Sequence, residues 1–486
     1  MQRLGALGGF AFLGLMMLLA PATAAVWHYT LLPESTLLDD CPVCDRPSFL
    51  QPLRGGYDLR LKGENPLFAH YTLENLEFTA GTAGGRNYKV TGHGTYSVGG
   101  EVALVQDLTL ELSIDDGFTN RICYLTNATP RVDRLPPMFH ATALQTNGSL
   151  TQAYQLDLYA APFREIWFST VSGMTSARGR APSNQVSGGD LLSSTGRIVR
   201  RNHELTGRLG IMPIVPDLGL DGAAILPGGE VIFSTENAIF SETLGALSAG
   251  DLLSQTGKIY QRNHELIAAF DPKPPTADVG LDALQAVEPG ELYFSIRQEF
   301  FSNTLGRRVR AGDLLSRRGL LLKTNEELVA RFQPADPKRD YGLDALHVWP
   351  SGEVWFSVET GFQGPNFEHY GPGDLLSDQG YVVYRNLELV GAFQPLEDLA
   401  DFGLDALFIV TDVGAAAAAP RFAKILRPGD TGGVELQWDG KGRVWEVLRA
   451  TNVSGPWLPL GPLQTDLRYL DLTAPSSQSF YQLRQF

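Results

Sequence analysis

Hydrophobic and polar residues alternate along most of this chain, with the two-residue period of β-strands that bury one face. Residues 71–78, Tyr-Thr-Leu-Glu-Asn-Leu-Glu-Phe, and residues 102–114 show this alternation clearly. Gly-rich turns such as Gly84-Gly85 and Gly99-Gly100 separate the runs. The pattern predicts that residues 25–163 form an all-β, sandwich-like domain.

The middle of the chain carries a fourfold tandem repeat. The phrase Gly-Asp-Leu-Leu-Ser recurs at intervals of 61, 62 and 61 residues, and the phrase Gly-Leu-Asp keeps the same spacing. Each copy reads as four short strands, a variable loop, and an Asn-x-Glu-Leu turn predicted to be a short helix that the asparagine caps. The eight repeated aspartates are Asp190, Asp251, Asp313 and Asp374 in the first phrase and Asp221, Asp282, Asp344 and Asp405 in the second.

The two ends of the repeat array are complementary. The array begins at the strand Trp167-Phe168-Ser169, with no Gly-Leu-Asp strand before it. It ends at the Gly-Leu-Asp strand 403–410, with no aromatic-Phe-Ser strand after it. Pairing the last strand with the first would complete a fourth unit and remove the free sheet edges. The sequence therefore predicts that residues 164–411 form a four-bladed β-propeller-like domain, with an open stack of sheets as the alternative.

A last segment follows a predicted linker at 412–420, which contains a run of alanines. Residues 450–457, Ala-Thr-Asn-Val-Ser-Gly-Pro-Trp, and the closing Phe480-Tyr481-x-Leu483 resemble the fibronectin type III-like tail of many exported bacterial proteins. The resemblance implies that residues 421–486 form a small sandwich that serves as a spacer or contact module. The repeats likewise resemble those of exported bacterial β-propeller-like proteins, a resemblance that implies no particular activity.

The start of the chain has the features of a secretory signal peptide. Arg3 precedes an apolar run at 10–19, and Ala22-Thr23-Ala24 is a small-residue cleavage site. We therefore expect residues 1–24 to be a signal peptide and the protein to be exported to the periplasm or beyond. No later run approaches 18 apolar residues, so no transmembrane anchor is expected. The net charge of −15 repels phosphate backbones and argues against a nucleic-acid partner.

The cysteines indicate a structural rather than a redox role. Cys41 and Cys44 form Cys-Pro-Val-Cys, and Cys123 stands alone. A redox pair would open a helix, whereas the surrounding residues predict a loop. We expect a structural disulfide, either between Cys41 and Cys44 or from one of them to Cys123.

The repeated aspartates are the first candidates for chemistry, as calcium ligands or as carboxylates around the axis. Calcium needs six to eight oxygens at one point, and each phrase offers one. All copies share the fold of the repeat unit, and a residue present in every copy is expected to stabilise that fold. We therefore expect the aspartates to accept hydrogen bonds from backbone N–H groups. His203 and His264 occupy one repeat position that the other copies fill with Glu326 and Leu387, so no metal site is common to the repeats. The sequence predicts no catalytic residue, cofactor or metal.

Function is expected where the copies differ. The variable loops contain the aromatic residues Phe240, Phe300, Phe301, Phe362, Phe367 and Tyr370. These side chains either form a ligand face or pack down between the blades. The resulting prediction is an exported, non-catalytic binding or structural module for a glycan or protein ligand. The alternative is a polysaccharide hydrolase or lyase with carboxylates in the central pocket, which requires two carboxyl groups unique to particular copies.

Overall fold

A computed structural model describes the chain at residues 25–44, 47–82, 85–149, 151–178, 184–213, 215, 217–287, 290–414, 419–427, 433–474 and 478–486. The predicted signal peptide at 1–24 and the alanines at 415–418 of the predicted linker lie outside these residues. The described chain is an all-β protein with a few short helical turns. No helix within the described ranges has the length and apolar character that crossing a membrane demands.

Within the described ranges, the first part of the chain has nine strands: β1 (Val26–Leu31), β2 (Thr36–Asp40), β3 (Phe49–Glu64), β4 (Phe68–Ala80), β5 (Tyr88–Gly99), β6 (Val105–Asp115), β7 (Asn120–Asn127), β8 (Phe139–Gln145) and β9 (Ala153–Ala161). Strands β2 to β9 pair in the order β3-β2-β9-β8-β7-β6-β5-β4, and β4 pairs back onto β3. The result is one closed sheet, with β1 joined to β3 and β9. The apolar side chains of the alternating runs fill its interior.

This closed sheet differs from the predicted sandwich. The 16-residue strand β3 is long enough to pair with β1, β2 and β4, and its register shifts near Gly56 and Leu61 let it bend. At Gly55 the backbone has φ +132°, and an added Cβ would lie 2.1 Å from the Glu77 carbonyl oxygen. Alternation specifies that a strand has one buried face, but it does not specify whether the sheet closes on itself.

The Cys41–Cys44 disulfide is present in this part of the chain, and Cys123 is a buried free cysteine. Of the two pairings expected from the sequence, the structure therefore contains the one within the Cys-Pro-Val-Cys loop.

The repeats contain four four-stranded sheets, which we call together the repeat ring. Their strands and helices, in chain order, are β10 (Glu165–Phe168), β11 (Met174–Thr175), β12 (Gln185–Val186), β13 (Leu191–Ser193), β14 (Arg197–Arg200), α1 (Asn202–Thr206), β15 (Ala223–Ile225), β16 (Val231–Phe233), β17 (Ile239–Ser241), β18 (Gly245–Leu247), β19 (Leu252–Ser254), β20 (Lys258–Gln261), α2 (Asn263–Leu266), β21 (Pro272–Lys273), β22 (Leu284–Val287), β23 (Glu291–Phe294), β24 (Phe300–Ser302), β25 (Arg307–Val309), β26 (Leu314–Ser316), β27 (Leu320–Lys323), α3 (Asn325–Val329), β28 (Leu346–Val348), β29 (Val354–Phe356), β30 (Phe362–Gln363), β31 (His369–Tyr370), β32 (Leu375–Ser377), β33 (Tyr381–Tyr384), α4 (Asn386–Val390) and β34 (Leu407–Val410). Single 3-10 turns span Ala268–Phe270, Ala330–Phe332, Pro365–Phe367 and Gly391–Phe393.

The four sheets share one strand order, from the innermost strand outward: β34-β10-β13-β14, β15-β16-β19-β20, β22-β23-β26-β27 and β28-β29-β32-β33. The innermost strands β15, β22, β28 and β34 contact one another in that cyclic order, and β34 also contacts β15. In the first sheet the last strand of the array pairs with the first, from Glu165 opposite Val410 to Phe168 opposite Leu407. The pairing of the two array ends that the sequence predicted is therefore present.

In three of the four copies the repeated serine at the end of the second strand joins neighbouring sheets. Ser169 Oγ donates to the Leu220 carbonyl oxygen at 2.9 Å, and Ser295 Oγ donates to that of Leu343 at 2.6 Å. Ser357 Oγ donates to the Leu404 carbonyl oxygen at 2.9 Å, which connects the fourth sheet to the first. Ser234 is the exception, because its buried hydroxyl has no hydrogen-bond partner among the described residues. These bonds explain why serine and Gly-Leu-Asp recur together.

The repeated asparagine begins its helix and does not cap it. In α2 the N-cap residue is Arg262, and the side chain of Asn263 bridges two loops of its copy. Asn263 Oδ1 accepts from Val279 N at 2.9 Å, and its Nδ2 donates to the Gly250 carbonyl oxygen at 3.1 Å. The short helical turn was predicted correctly, but the role of the asparagine was wrong because its partner lies 16 residues along the chain.

Among the residues of the last part that the structure describes are six strands: β35 (Arg421–Leu426), β36 (Val434–Asp439), β37 (Trp445–Ala450), β38 (Leu458–Pro459), β39 (Arg468–Asp471) and β40 (Phe480–Gln485). They form two three-stranded sheets, β35-β36-β39 and β38-β37-β40, which share one core around Trp438 and Trp445. This part contacts the repeat ring through Gly228 N, which donates to the Gly442 carbonyl oxygen at 2.9 Å. The fibronectin type III-like character of this segment stays a prediction.

Candidate functional site

The variable loops are short hairpins that emerge together at one end of the repeat ring. Each innermost strand begins just after its Gly-Leu-Asp phrase and pairs antiparallel with the second strand, whose last residues lead into the hairpin. Ser234 N, for example, donates to the Gly222 carbonyl oxygen at 2.9 Å, directly beside Asp221. The hairpins and the Gly-Leu-Asp aspartates therefore lie at the same end, which we call the hairpin end.

Each hairpin packs on the helical turn of the preceding copy. Ser302 Oγ donates to the Phe270 carbonyl oxygen at 2.6 Å, and Ser176 of the first hairpin donates to that of Phe393 in the last copy at 2.6 Å. Aromatic residues fill the contact: the Phe362 and Tyr370 rings lie 5.9 and 4.8 Å from the Phe332 ring. These contacts anchor the bases of the hairpins to the ring.

The six aromatic residues singled out in the variable loops divide into two groups of three. Phe300, Phe362 and Tyr370 are buried in the core of the ring. Phe240, Phe301 and Phe367 expose 57%, 41% and 85% of their surface. The first group packs down into the ring, as one interpretation of the sequence expected, and of these six residues the second group is the one that is exposed.

The aspartates of Gly-Asp-Leu-Leu-Ser have the structural role predicted for them. Asp251 accepts from Ser248 N and Asn263 N, both at 2.9 Å, and from Arg262 Nη1 at 2.6 Å. Its three counterparts, Asp190, Asp313 and Asp374, accept the equivalent pair of hydrogen bonds from backbone N–H groups. These carboxylates hold the loop before β19 and its equivalents onto the helical turn.

A further repeated aspartate, four residues before each Gly-Leu-Asp aspartate, was missed in the sequence. Asp217, Asp278, Asp340 and Asp401 each accept from the backbone N–H of the glycine of Gly-Asp-Leu-Leu-Ser and from that of the Gly-Leu-Asp glycine. The signal was present as Asp-x-Gly-Leu-Asp in every copy. In Asp-x-Gly-Leu-Asp it is therefore the first aspartate, and not the second, that accepts hydrogen bonds from backbone N–H groups.

The aspartates of Gly-Leu-Asp do not have the role predicted for them. Asp221, Asp282, Asp344 and Asp405 are buried beside one another at the axis, and we call them the axial carboxyl cluster. Within the described residues no backbone N–H donates to any of their carboxylates. Of the two interpretations of the sequence, carboxylates around the axis and acceptors of backbone N–H groups, the first describes where these side chains lie. Because the repeats are arranged around a common axis, the four carboxyl groups lie near one another. They do not bind the backbone N–H groups of their own turns.

Burial and mutual repulsion disfavour the ionised forms of the cluster. Burial is the largest cause in each case; it raises the pKa of Asp221 to about 7, that of Asp282 to about 6 and that of Asp405 to about 8. The pKa of Asp344 is raised well above its usual value by burial and then by Asp282 and Asp405. At neutral pH the cluster therefore holds both protonated and ionised carboxyl groups.

One repeat position brings unlike side chains to the cluster. The second residue after each repeated serine lies over a glycine of Gly-Leu-Asp, and the four residues are Val171, Glu236, Arg297 and Glu359. Beside Glu236, Gly219 has φ +68°, and an added Cβ would lie 2.4 Å from the Glu236 side chain. Close approach therefore requires glycine at this position. The sequence signal was a charged residue in three of four copies beside a repeated serine.

Arg297 supplies a positive charge to the cluster. Its Nη1 lies 3.3 Å from Asp221 Oδ2 and 2.9 Å from the Glu236 carbonyl oxygen, and its Nε lies 3.5 Å from Asp282 Oδ1. Asp282 Oδ2 is buried without a hydrogen-bond partner among the described residues. In the described ranges no three His, Cys, Asp or Glu residues are arranged to hold a metal ion.

Comparison with known proteins adds little to this geometry. No family model and no curated protein matches the chain. Among solved structures, the extracellular domain of a putative hybrid two-component system from B. thetaiotaomicron aligns over 90% of this chain and 74% of its own, with 8% sequence identity and a TM-score of 0.20. A likeness at this TM-score carries no argument about fold or function.

Proposed function

We propose that this chain is an exported, non-catalytic binding protein that takes a glycan at the hairpin end of the repeat ring. In this proposal the four sheets are the blades of a four-bladed β-propeller, flanked by the closed N-terminal sheet and a fibronectin type III-like spacer. The cyclic contacts of the innermost strands and the pairing of β10 with β34 support the propeller. The predicted signal peptide and the Cys41–Cys44 disulfide support export.

The observation that carries the proposal is the combination of exposed aromatic rings and hydrogen-bond acceptors at one end of the ring. Phe240, Phe301 and Phe367 project from three different hairpins. The C–H faces of sugars pack on such rings, and sugar hydroxyls donate to exposed carboxylates such as those of Glu299 and Glu368 beside them.

A glycan fits these rings better than a protein does. Charged side chains surround the exposed aromatics: the Arg308–Glu299 ion pair, 3.0 Å long, lies on the hairpin of Phe301, and Glu368 follows Phe367. A stable protein interface has a continuous apolar centre from which charged residues are depleted. Isolated rings separated by charges are suited to successive sugar units.

A glycan array followed by calorimetry on the full-length mature chain tests the proposal. We expect Phe301→Ala and Phe367→Ala each to weaken glycan binding about tenfold or more, as loss of a stacked aromatic contact does at hot spots. Phe118→Ala is the matched control, because Phe118 is 83% exposed but lies in the turn between β6 and β7 of the closed N-terminal sheet. Equal affinities in the wild type and both hairpin variants would contradict the proposal, as would capture of a protein ligand with no glycan bound.

A second candidate, a polysaccharide hydrolase or lyase, is favoured by the axial carboxyl cluster. Acid–base cleavage of a glycosidic bond uses one protonated and one ionised carboxyl group, and the cluster holds both forms near neutral pH. Glu236 and Glu359 lie near the axis at a position that holds Val171 and Arg297 in the other two copies, so they are carboxyl groups that not every copy supplies. Release of reducing ends from any polysaccharide, abolished in Asp405→Asn and Glu236→Gln, would establish this candidate. Binding without product release would reject it.

A further inference from the structure

The closed N-terminal sheet docks on the fourth sheet of the repeat ring. Leu32 and Met138 of the N-terminal part share one buried core with Trp355 and Val383 of the fourth sheet. The segment 128–138, which joins β7 to β8, contributes both Met138 and Arg134 to this interface. The position of this segment therefore determines how the two parts dock.

Arg134 makes the charged contact of the interface. Its side chain is 11% exposed, and its Nη2 lies 3.4 Å from Glu353 Oε1. The guanidinium also lies over the Tyr381 ring, 4.3 Å from the ring centre. The equivalent glutamates of the other three copies each pair with a cation of their own copy; they are Glu165, Glu230 and Glu291. Among the described residues, the cation that pairs with Glu353 comes from the N-terminal part instead.

His140 holds the residue that precedes Arg134. Its Nδ1 lies 2.6 Å from Asp133 Oδ2, and its Nε2 lies 3.1 Å from Asp157 Oδ1 on β9. The imidazole is stacked on Tyr159, with ring centres 3.9 Å apart, and burial raises the pKa of this tyrosine to about 12. A neutral imidazole donates from one nitrogen only, whereas an imidazolium donates from both. Because both nitrogens face carboxylate oxygens, the geometry requires the protonated ring.

The charged groups around His140 favour the same form. They are the carboxylates of Asp133, Asp157 and Glu34 and the guanidinium of Arg134. Burial by itself lowers the pKa of His140, but the hydrogen bonds with Asp157 and Asp133 outweigh it and raise the pKa. The stabilisation is therefore complete below the usual value of about 6.5 for an unfolded chain, and it is lost as the pH rises through the raised value of the folded protein.

From this arrangement we infer that His140 is a pH-sensitive latch between the closed N-terminal sheet and the repeat ring. With a proton on each ring nitrogen it holds Asp133 of the segment 128–138 against Asp157 of β9, which keeps Arg134 on Glu353. An imidazole that has lost one proton donates to one carboxylate only, so the segment is released and the interface loosens. The N-terminal sheet is held more firmly at mildly acidic pH than at alkaline pH. The inference does not depend on glycan binding at the hairpin end.

Hydrogen–deuterium exchange on the full-length mature chain at about pH 5.5 and about pH 9, corrected for intrinsic exchange rates, tests the inference. Val132 N and Met138 N of the segment donate to the carbonyl oxygens of Leu104 and Leu135, at 3.3 and 3.1 Å, so their exchange reports its opening. We expect their protection to fall about threefold or more from the lower to the higher pH. In a nuclear magnetic resonance titration, the pKa of His140 should lie above the usual value for histidine. Equal protection at both pH values, or a His140 pKa at or below the usual value, would overturn the inference.

Two variants connect the effect with the latch. His140→Gln, whose amide donates from one side only, should show low protection of the segment at both pH values. Asp133→Asn removes one of the two carboxylates at a position that is half exposed, and it should reduce the pH dependence. It keeps the inference testable if thermal unfolding shows that His140→Gln does not fold. Retention of the wild-type pH dependence in His140→Gln, or in Asp133→Asn where the first variant does not fold, would also overturn the inference.

His93→Gln is the control. His93 is 67% exposed and lies 4.0 Å from Glu111 elsewhere on the closed sheet, so this variant should keep the wild-type pH dependence. The axial carboxyl cluster titrates over part of the same pH range. Because the cluster is the same in the wild type and in all three variants, it does not account for a difference among them.

Discussion

Arg297 Nη1 lies 3.3 Å from Asp221 Oδ2, which connects the third sheet of the repeat ring to the start of the second. The same guanidinium also approaches Asp282, so one unique cation serves a cluster of carboxyl groups that the repeat supplies in every copy. The fourfold repeat places the carboxyl groups at the axis. The arginine that one copy carries at position 297 reduces the repulsion between them.

Arg297→Gln should destabilise the protein more at about pH 8 than at about pH 4. Arg297 lowers the pKa values of Asp221, Asp282 and Asp405, so it stabilises their ionised forms. At pH 4 these carboxyls are protonated in the folded protein and gain little from the cation. Thermal unfolding at both pH values measures the difference. Arg308→Gln, an exposed hairpin arginine, is the control. Equal losses at both pH values would contradict the pairing.

Asp405→Asn should stabilise the protein at about pH 8, by about 1 kcal/mol or more, and have little effect at about pH 4. The folded pKa of Asp405 is about 8, above the usual value near 4 of an unfolded chain. The folded state therefore binds the extra proton, and wild-type stability falls as pH rises between these two values. Asparagine removes that loss. Urea unfolding across this range is the measurement, and a destabilised Asp405→Asn at pH 8 would show that the ionised carboxylate is needed.

Asp251→Asn, the same chemical change at the other repeated phrase, should destabilise the protein by about 2–4 kcal/mol at pH 7. The buried carboxylate accepts two backbone N–H groups and the Arg262 guanidinium, and an amide cannot satisfy all three. Urea unfolding of the two asparagine variants side by side provides the comparison. We expect the two substitutions to change the free energy of unfolding in opposite directions. Changes in the same direction would mean that the two sets of aspartates do not differ in role.

Ser357→Ala should cost about 1 kcal/mol or more, whereas Ser234→Ala should be neutral or slightly stabilising. Ser357 Oγ bonds the Leu404 carbonyl oxygen across the junction of the fourth and first sheets, while the buried Ser234 hydroxyl has no partner among the described residues. Both serines are fully buried at equivalent positions, so each variant is the control for the other. Denaturation midpoints that shift equally would refute the assigned hydrogen bonds.

Phe362→Ala should lower stability by about 3 kcal/mol, and Phe367→Ala should not change it measurably. The buried Phe362 ring packs on Phe332 and Tyr370, whereas Phe367 is exposed. Thermal unfolding distinguishes the two. A stable Phe362→Ala would mean that this aromatic is not a packing residue of the hairpin.

Much of the repeat architecture follows from the sequence alone. The 61-residue spacing defines the unit, its alternating runs define four strands, and the incomplete terminal copies specify that β34 pairs with β10. Strand period and turn residues depend only on neighbouring residues, and the number of copies can be counted in the sequence. These features can therefore be predicted without knowing the tertiary structure.

Tertiary structure alone decided the roles of the two sets of aspartates. Both sets stand in short glycine-containing phrases beside strands, but Asp251 lies in a loop that a helical turn covers, and Asp405 lies at the axis where four copies meet. Closure of the N-terminal strands into one sheet was decided in the same way. A residue's distance from a symmetry axis, like the meeting of first and last strands, depends on contacts between segments far apart in the chain, and strand periodicity carries no information about such contacts.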